Sequence, residues 1–384
     1  MENSLILLDY DTLRVIWWLL MGFLLIGFAI MDGFDLGIAA LLPVLGRTDS
    51  ERRIMINLVG PVWEGNQVWL ITAGGAIFAA WPALYAASFS GFYLAMMLLL
   101  VALIIRPVGF KYRSKYEGTR WRNTWDGVLT FAGVVAPVVF GVAFGNVILG
   151  VPFEIEADTM RPLYHGNFWQ LFTPFTLFCG VVSLTMHLTH GTTLLAWRVV
   201  DPVAERARKI GIVTSILVAV LFALGGLWIT GINGHVVTSA VDYLAPSNPL
   251  NKTVSITRGA WLTNFCVWPW MWIAPVLGVI AALATSLFLA VRRPIAAFLA
   301  SATTITAVIT TVGFALFPFV LPSSVNPDIG LTVWDASSSH LTLWVMLIAA
   351  LIFMPIIIAY TSYVYHIMRG KVSEETLKET SNTY

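Results

Sequence analysis

The chain has 384 residues, of which 58% are hydrophobic and 11% charged, with a formal net charge of +1. Soluble domains carry about 25% charge, so a water-soluble fold is excluded. The net charge says nothing about nucleic acid, and with no basic arm or aromatic-basic repeat to suggest it, no nucleic-acid partner is expected. The two cysteines, Cys179 and Cys266, lie in or beside apolar segments with no CxxC, CxxCH or Cys/His cluster, and read as small packing residues.

At about 20 residues per crossing, the apolar pattern predicts an all-α polytopic membrane protein with nine spans in a single membrane domain. They lie near 13–44, 58–79, 84–105, 124–149, 166–196, 210–231, 264–291, 295–319 and 338–367. Two four-helix bundles plus one additional helix would accommodate them. The first stretch is too long for a signal-peptide core and has no small-residue cleavage site, so it is expected to remain. Pro82, Pro107, Pro294 and Pro322 fall at span boundaries, where a missing amide is tolerated.

Orientation follows from Lys and Arg. One set of connections holds Arg47, Arg52, Arg53, Arg106, Lys111, Arg113, Lys115, Arg120, Arg122, Arg198, Arg206, Arg208, Lys209, Arg292, Arg293, Arg369, Lys371 and Lys378. The opposite set holds only Arg14, Arg161, Lys252 and Arg258. The positive-inside rule then places the amino terminus in the periplasm and the carboxyl terminus in the cytoplasm, which requires an odd number of spans.

The first span carries Asp32 and Asp35 in Ile30-Met31-Asp32-Gly33-Phe34-Asp35-Leu36-Gly37. An aspartate at a helix centre costs about 2.5–3.5 kcal/mol on insertion scales, so both acids must face protein or water. They either handle protons or pair with a buried arginine. Arg106 is the natural partner, with Asp35 expected to face it, although Arg106 also reads as an ordinary positive-inside residue. The second span opens Trp63-Glu64-Gly65-Asn66-Gln67, three polar side chains within one turn. Such a group suits a proton relay or cross-helix hydrogen bonding.

In the fifth span His187 and His190 stand three residues apart, but haem requires facing ligands and zinc a third donor. Near a span end, histidine is inexpensive. Asp126, after Arg120-Trp121-Arg122-Asn123-Thr124-Trp125, reads as an early-turn acid or a partner for nearby arginines. Asp335 reads as the N-cap of the last helix. The outer connection 232–263, with Asn233-Gly234-His235 and Ser247-Asn248-Pro249-Leu250-Asn251, reads as an ordered cap. On the residues alone, a proton-coupled carrier competes with a subunit of a membrane redox enzyme. Paired broken helices, the mark of the carrier, are not evident, which favours the redox subunit.

Several long runs resemble subunit II of the cytochrome bd quinol oxidases. They include Trp17-Trp18-Leu19-Leu20, Asp32-Gly33-Phe34-Asp35-Leu36-Gly37, Glu51-Arg52-Arg53-Ile54-Met55-Ile56-Asn57 and Gly65-Asn66-Gln67-Val68-Trp69 onward to Ala76. Phe78-Ala79-Ala80-Trp81-Pro82, Arg106-Pro107-Val108-Gly109-Phe110, Arg120-Trp121-Arg122-Asn123, Gly141-Val142-Ala143-Phe144-Gly145-Asn146, Ser247 to Lys252 and Phe317-Pro318-Phe319-Val320 extend the likeness along the whole chain. The loop after the third span resembles the proteobacterial, ubiquinol-oxidising branch.

The resemblance implies a terminal respiratory oxidase of the bacterial inner membrane. Such an enzyme oxidises ubiquinol, reduces oxygen to water and draws the consumed protons from the cytoplasm without pumping. It implies haems b and d ligated by subunit I, a small single-helix accessory subunit and, in some members, a structural quinone in subunit II. Glu64, Asp32 and Asp35 become proton-relay candidates. Arg106 and Asp126, with Asn66, Gln67 and Trp63, become indirect supports of the cofactors; Asp35, too, matches a position linked to the high-spin haems. The family pattern has aspartate where this chain has Glu64, and the extra methylene moves the carboxylate by about 1.5 Å. The pair His187 and His190 is outside the family pattern.

Overall fold

The computed structural model describes residues 6–373 and residue 375; Lys378, counted above with the cytoplasmic charges, lies outside them. The chain begins with α1 (Tyr10–Met31) and α2 (Gly33–Leu45), which abut at Asp32. A short surface helix α3 (Asp49–Val59) follows, started by a reciprocal cap between Thr48 and Glu51. Next come α4 (Trp63–Ala80), α5 (Pro82–Gly91), α6 (Tyr93–Tyr112) and α7 (Thr119–Leu149). The first hairpin, β1 (Phe153–Ile155) with β2 (Pro162–Tyr164), leads to α8 (Pro174–Arg198) and α9 (Val203–Ile229). The second, β3 (Asn233–Val237) with β4 (Val254–Arg258), precedes α10 (Thr263–Val267), α11 (Ile273–Ala290) and α12 (Pro294–Leu316). The third, β5 (Phe319–Leu321) with β6 (Leu331–Thr332), precedes α13 (His340–Ile367). All three hairpins are antiparallel.

Seven helical stretches are long and apolar enough to cross a membrane: Tyr10–Leu45, Tyr93–Lys115, Thr119–Leu149, Val203–Ile229, Pro269–Ala290, Pro294–Leu316 and His340–Ile367. Two further expected spans form helices, α4 and α8, but fall outside that set. Both are diluted by polar residues. Glu64, Asn66 and Gln67 lie on α4, and Ser183, Thr185, His187, Thr189, His190, Thr192 and Thr193 on α8.

Packing follows from small residues where helices cross. α2 lies against α7 and α8. At Gly37 a Cβ would stand 2.0 Å from the His187 carbonyl oxygen, and at Gly133 2.3 Å from the Ala40 amide nitrogen. Only glycine permits backbones this close. α8, α9, α11 and α12 pack on one another, α6 packs on α7, and α1 on α4. α13 touches α1 and α4 and buries only Leu343 and Leu347 within the helix.

The hairpins gather at one end of the helices. Val151 bridges to Ser323, His235 bonds the Ser323 carbonyl, and the Val254 amide donates to Asp328. Arg14, fully buried, fastens this cap to α1. Its guanidinium donates to the Tyr243 and Ala245 carbonyls and to the Ser247 and Ser337 hydroxyls, and lies 3.5 Å over the Tyr10 ring. Two expectations are corrected here. The N-cap of α13 is Ser339, whose hydroxyl accepts from the Thr342 amide. Asp335 instead accepts from the Thr332 amide and pairs with Lys252 at 2.8 Å. Cys266 is exposed, so it is not a packing residue of this chain.

Candidate functional site

At the arginine-rich end, connections expected on one side of the membrane come together as ion pairs. Asp126 of α7 accepts from Arg113 and from Arg52 at 2.7 Å. Asp49 pairs with Arg113 at 3.0 Å and Arg122 at 2.8 Å, and Glu51 with Arg206 at 2.6 Å. Of its two readings, Asp126 therefore takes the arginine partnership. Glu51 is held below the usual carboxylate range: burial pushes it up, but Arg206 and the Arg47 and Thr48 amides outweigh that.

Deeper inside, the α1/α2 junction sets out the acids. The Asp32 amide still donates to the Phe28 carbonyl, and the Asp32 carbonyl accepts from the Leu36 amide. The helix thus carries on past Asp32 with a one-residue irregularity, and Gly33 and Gly37 form its face against α8. Asp32 and Asp35 project elsewhere, both fully buried. Arg106, fully buried on α6, grips Asp32 with two parallel bonds of 2.6 and 2.9 Å. The pairing expected of Asp35 thus falls to Asp32. Asp35 turns to α4, where Asn66 donates to it at 2.9 Å. Asn66 in turn accepts from the Tyr365 hydroxyl at 2.7 Å, and Gln67 accepts weakly from Arg106 at 3.4 Å. Two buried atoms of this cluster have no partner among the described residues: Asp35 Oδ1 and Arg106 Nε.

The turn Glu64-Asn66-Gln67 is therefore divided. Asn66 is buried toward the acids, whereas Glu64 is exposed on another flank of α4 with no partner among the described residues. Trp63 is partly buried against the apolar cluster that holds Phe34, Ile54 and Val59. Sequence reasoning missed Tyr365, one of several tyrosines near the end of α13, because nothing local distinguishes it. It also missed the burial of Arg14.

Both histidines of α8 are buried. His187 Nδ1 bonds the Ser183 carbonyl at 2.7 Å, so Nε2 is left as an acceptor without a partner. The ring edge rests against Gly33, where even a methyl carbon would come within 3.0 Å of it. His190 has both nitrogens engaged, with Ser301 at 2.7 Å and the Ile30 carbonyl at 3.0 Å. Neither imidazole offers a free nitrogen to a space that a macrocycle could enter, so this pair does not fit an axial haem ligand. Among the described residues no group of three or more His, Cys, Asp and Glu side chains could hold a metal ion.

Residues 13–368 match the family described as cytochrome bd terminal oxidase subunit II. The chain belongs to that family. It is 51% identical over 378 residues to cytochrome bd-I ubiquinol oxidase subunit 2 of Escherichia coli strain K12, covering 98% of this chain and all of that one. It is 48% identical to a probable cytochrome oxidase subunit 2 of Haemophilus influenzae, with the same coverage. Its fold resembles a chain in the structure of bd oxidase from Geobacillus thermodenitrificans, with a TM-score of 0.70 at 17% identity, over 93% of this chain and 98% of that chain. As a subunit II, it is a multi-pass protein of the bacterial inner membrane and part of an oxidoreductase, and the family implies haem in the complex. The Asp32–Arg106 pair and the Asp35–Asn66–Tyr365 chain are bonded groups in the interior of this subunit II.

Proposed function

We propose that, within a quinol-oxidising terminal oxidase, this chain delivers protons to oxygen chemistry carried by a partner subunit. On this reading, subunit I ligates haems b and d, ubiquinol is the electron donor, and a small single-helix subunit completes the complex. The chain crosses the membrane nine times as one domain, adding α4 and α8 to the seven apolar stretches, in two four-helix bundles with α13 outside them. The arginine-rich end faces the cytoplasm and the hairpin cap the periplasm, in keeping with the positive-inside rule.

The observation that carries the relay is a surplus acid. Arg106 offsets Asp32, and Asp35, fully buried beside them, keeps one carboxyl oxygen without a partner. A carboxyl in that position can hold or release a proton without breaking the Asp32–Arg106 pair. Glu64 is the surface member, taking protons from water and passing them inward through groups outside the bonded cluster. Asp126 and its arginines fix α3 and α7 together and support the cofactors indirectly, through the shape of the interface.

The test is Glu64→Gln in the assembled complex, which keeps shape and hydrogen bonding but removes the exchangeable proton. Oxygen consumption is expected to slow roughly tenfold or more, with an unaltered reduced-minus-oxidised spectrum. Full turnover with a normal spectrum would overturn the relay role of Glu64.

A further inference from the structure

Asn66 donates its amide nitrogen to Asp35 Oδ2 and accepts the Tyr365 hydroxyl proton on its carbonyl oxygen. The directions follow from the groups. Asp35 Oδ2 takes the NH2 side of the amide, and the carbonyl side then faces the Tyr365 hydroxyl, which has a proton to donate. Turned over, the amide would set its carbonyl against the carboxylate and leave the phenolic proton without that acceptor.

Tyr365 reaches this position from the last turns of α13, whose buried contacts lie in its other half. The segment beyond it is fastened separately. Arg198, at the end of α8, donates to the Met368 and Gly370 carbonyls, and the Val372 amide donates to the Arg198 carbonyl at 2.8 Å. Three elements thus converge to put one hydroxyl on one amide.

We infer that Tyr365 is a positioning residue for the proton chemistry of Asp35: acting through Asn66, it holds an amide donor on one carboxyl oxygen and leaves the other oxygen for exchange. The inference rests on the reading of Asp35 as a proton carrier. The charged groups nearest Asp35 are Asp32 and Arg106, from α1/α2 and α6. From α4 Asn66 donates to it, while Glu64 is exposed; Tyr365 of α13 reaches it through Asn66; and His187 of α8 lies against Gly33.

The experiment uses the assembled complex with Tyr365→Phe, which removes one oxygen atom and keeps the ring. Two readouts are taken against pH: turnover, and the infrared carboxyl stretch identified by its loss in Asp35→Asn. In Tyr365→Phe the midpoint of both is expected to move up by roughly one pH unit, the effect of loosening one hydrogen bond to a carboxylate. The haem spectrum should not change. Asn66→Leu should move the midpoints in the same direction, and the double variant no further than Asn66→Leu alone, because the hydroxyl acts only through the amide. A Tyr365→Phe titration superimposing on the unaltered protein, or a shift that adds in full to that of Asn66→Leu, would overturn the inference. Should Asp35→Asn keep full turnover, the carrier reading fails. The infrared titration then decides alone whether Tyr365 sets the proton affinity of Asp35.

Discussion

Asp32 and Asp35 are the same residue type, three positions apart, yet the fold gives them different partners. Asp32 meets a guanidinium in two bonds, with neither side chain accessible. Asp35 meets an amide and retains a free oxygen. Asp32→Asn therefore leaves Arg106 charged and unpaired in an apolar interior, a loss of about 3–5 kcal/mol. The expected result is a clear drop in the melting temperature of the purified complex, together with loss of haem absorbance. Asp35→Asn keeps a neutral, equally shaped acceptor for Asn66 and should cost no more than about 1 kcal/mol. It is expected to assemble with its haem spectrum intact and to turn over slowly. If both variants assemble equally well, the division of roles between the two acids is wrong. The sequence shows that two carboxylates must be buried here. It does not show which one finds Arg106, because that depends on the rotation of α6 about its axis.

Among the elements, helix ends follow local chemistry closely. Pro82, Pro174 and Pro294 each sit at the start of a helix, and Thr48, Thr173 and Ser339 cap theirs. Asp335 has the right residue type for a cap but is drawn off by Lys252 and the Thr332 amide, partners that exist only in the folded cap. Inside that cap, His235 is packed against Trp261 and Phe319, and its Nε2 donates to the Ser323 carbonyl at 3.0 Å. Burial holds its pKa below the ordinary imidazole value, outweighing the opposite pull of that carbonyl. The unfolded cap binds a proton near pH 6.5, so the stability from neutral His235 is complete above that pH and declines as pH falls toward the folded-state value. Hydrogen exchange at the β3 and β4 amides should speed up between about pH 7 and pH 5 beyond the intrinsic dependence. In His235→Gln, which keeps a donor for Ser323, that excess should vanish. An excess persisting in the variant would assign the effect to another group.

At the scale of the whole molecule, two ends with different chemistry face each other across the helices. One is a cap of three hairpins locked by Arg14, and the other a network of arginines and acids joining α3, α7 and α9. The proposed orientation puts the cap outside. In a protein lacking Cys179 and Cys266, a cysteine at exposed Asp242 should react with an impermeant thiol reagent added to intact cells, and one at exposed Glu117 should not. Removing Cys266 matters, because it is itself exposed. Labelling at Glu117 with protection at Asp242 would reverse the topology.

The sequence by itself determined that the chain lives in a membrane, where its apolar stretches lie and how its basic residues cluster along the chain. These properties depend on composition, length and charge along the chain, all of them local. The long ungapped motifs also made the family legible. What only the tertiary structure decided is which polar groups meet. Arg106 pairs with Asp32 and not Asp35, Glu64 faces away from Asn66, and Tyr365 arrives from the far end of the chain to complete the amide chain. The reason is geometric. A helix presents a new face every residue, about 100° round from the last, and which face is buried is settled by glycine contacts such as Gly37 on His187 and Gly133 on Ala40. Those contacts belong to pairs of helices, and neither helix carries them alone.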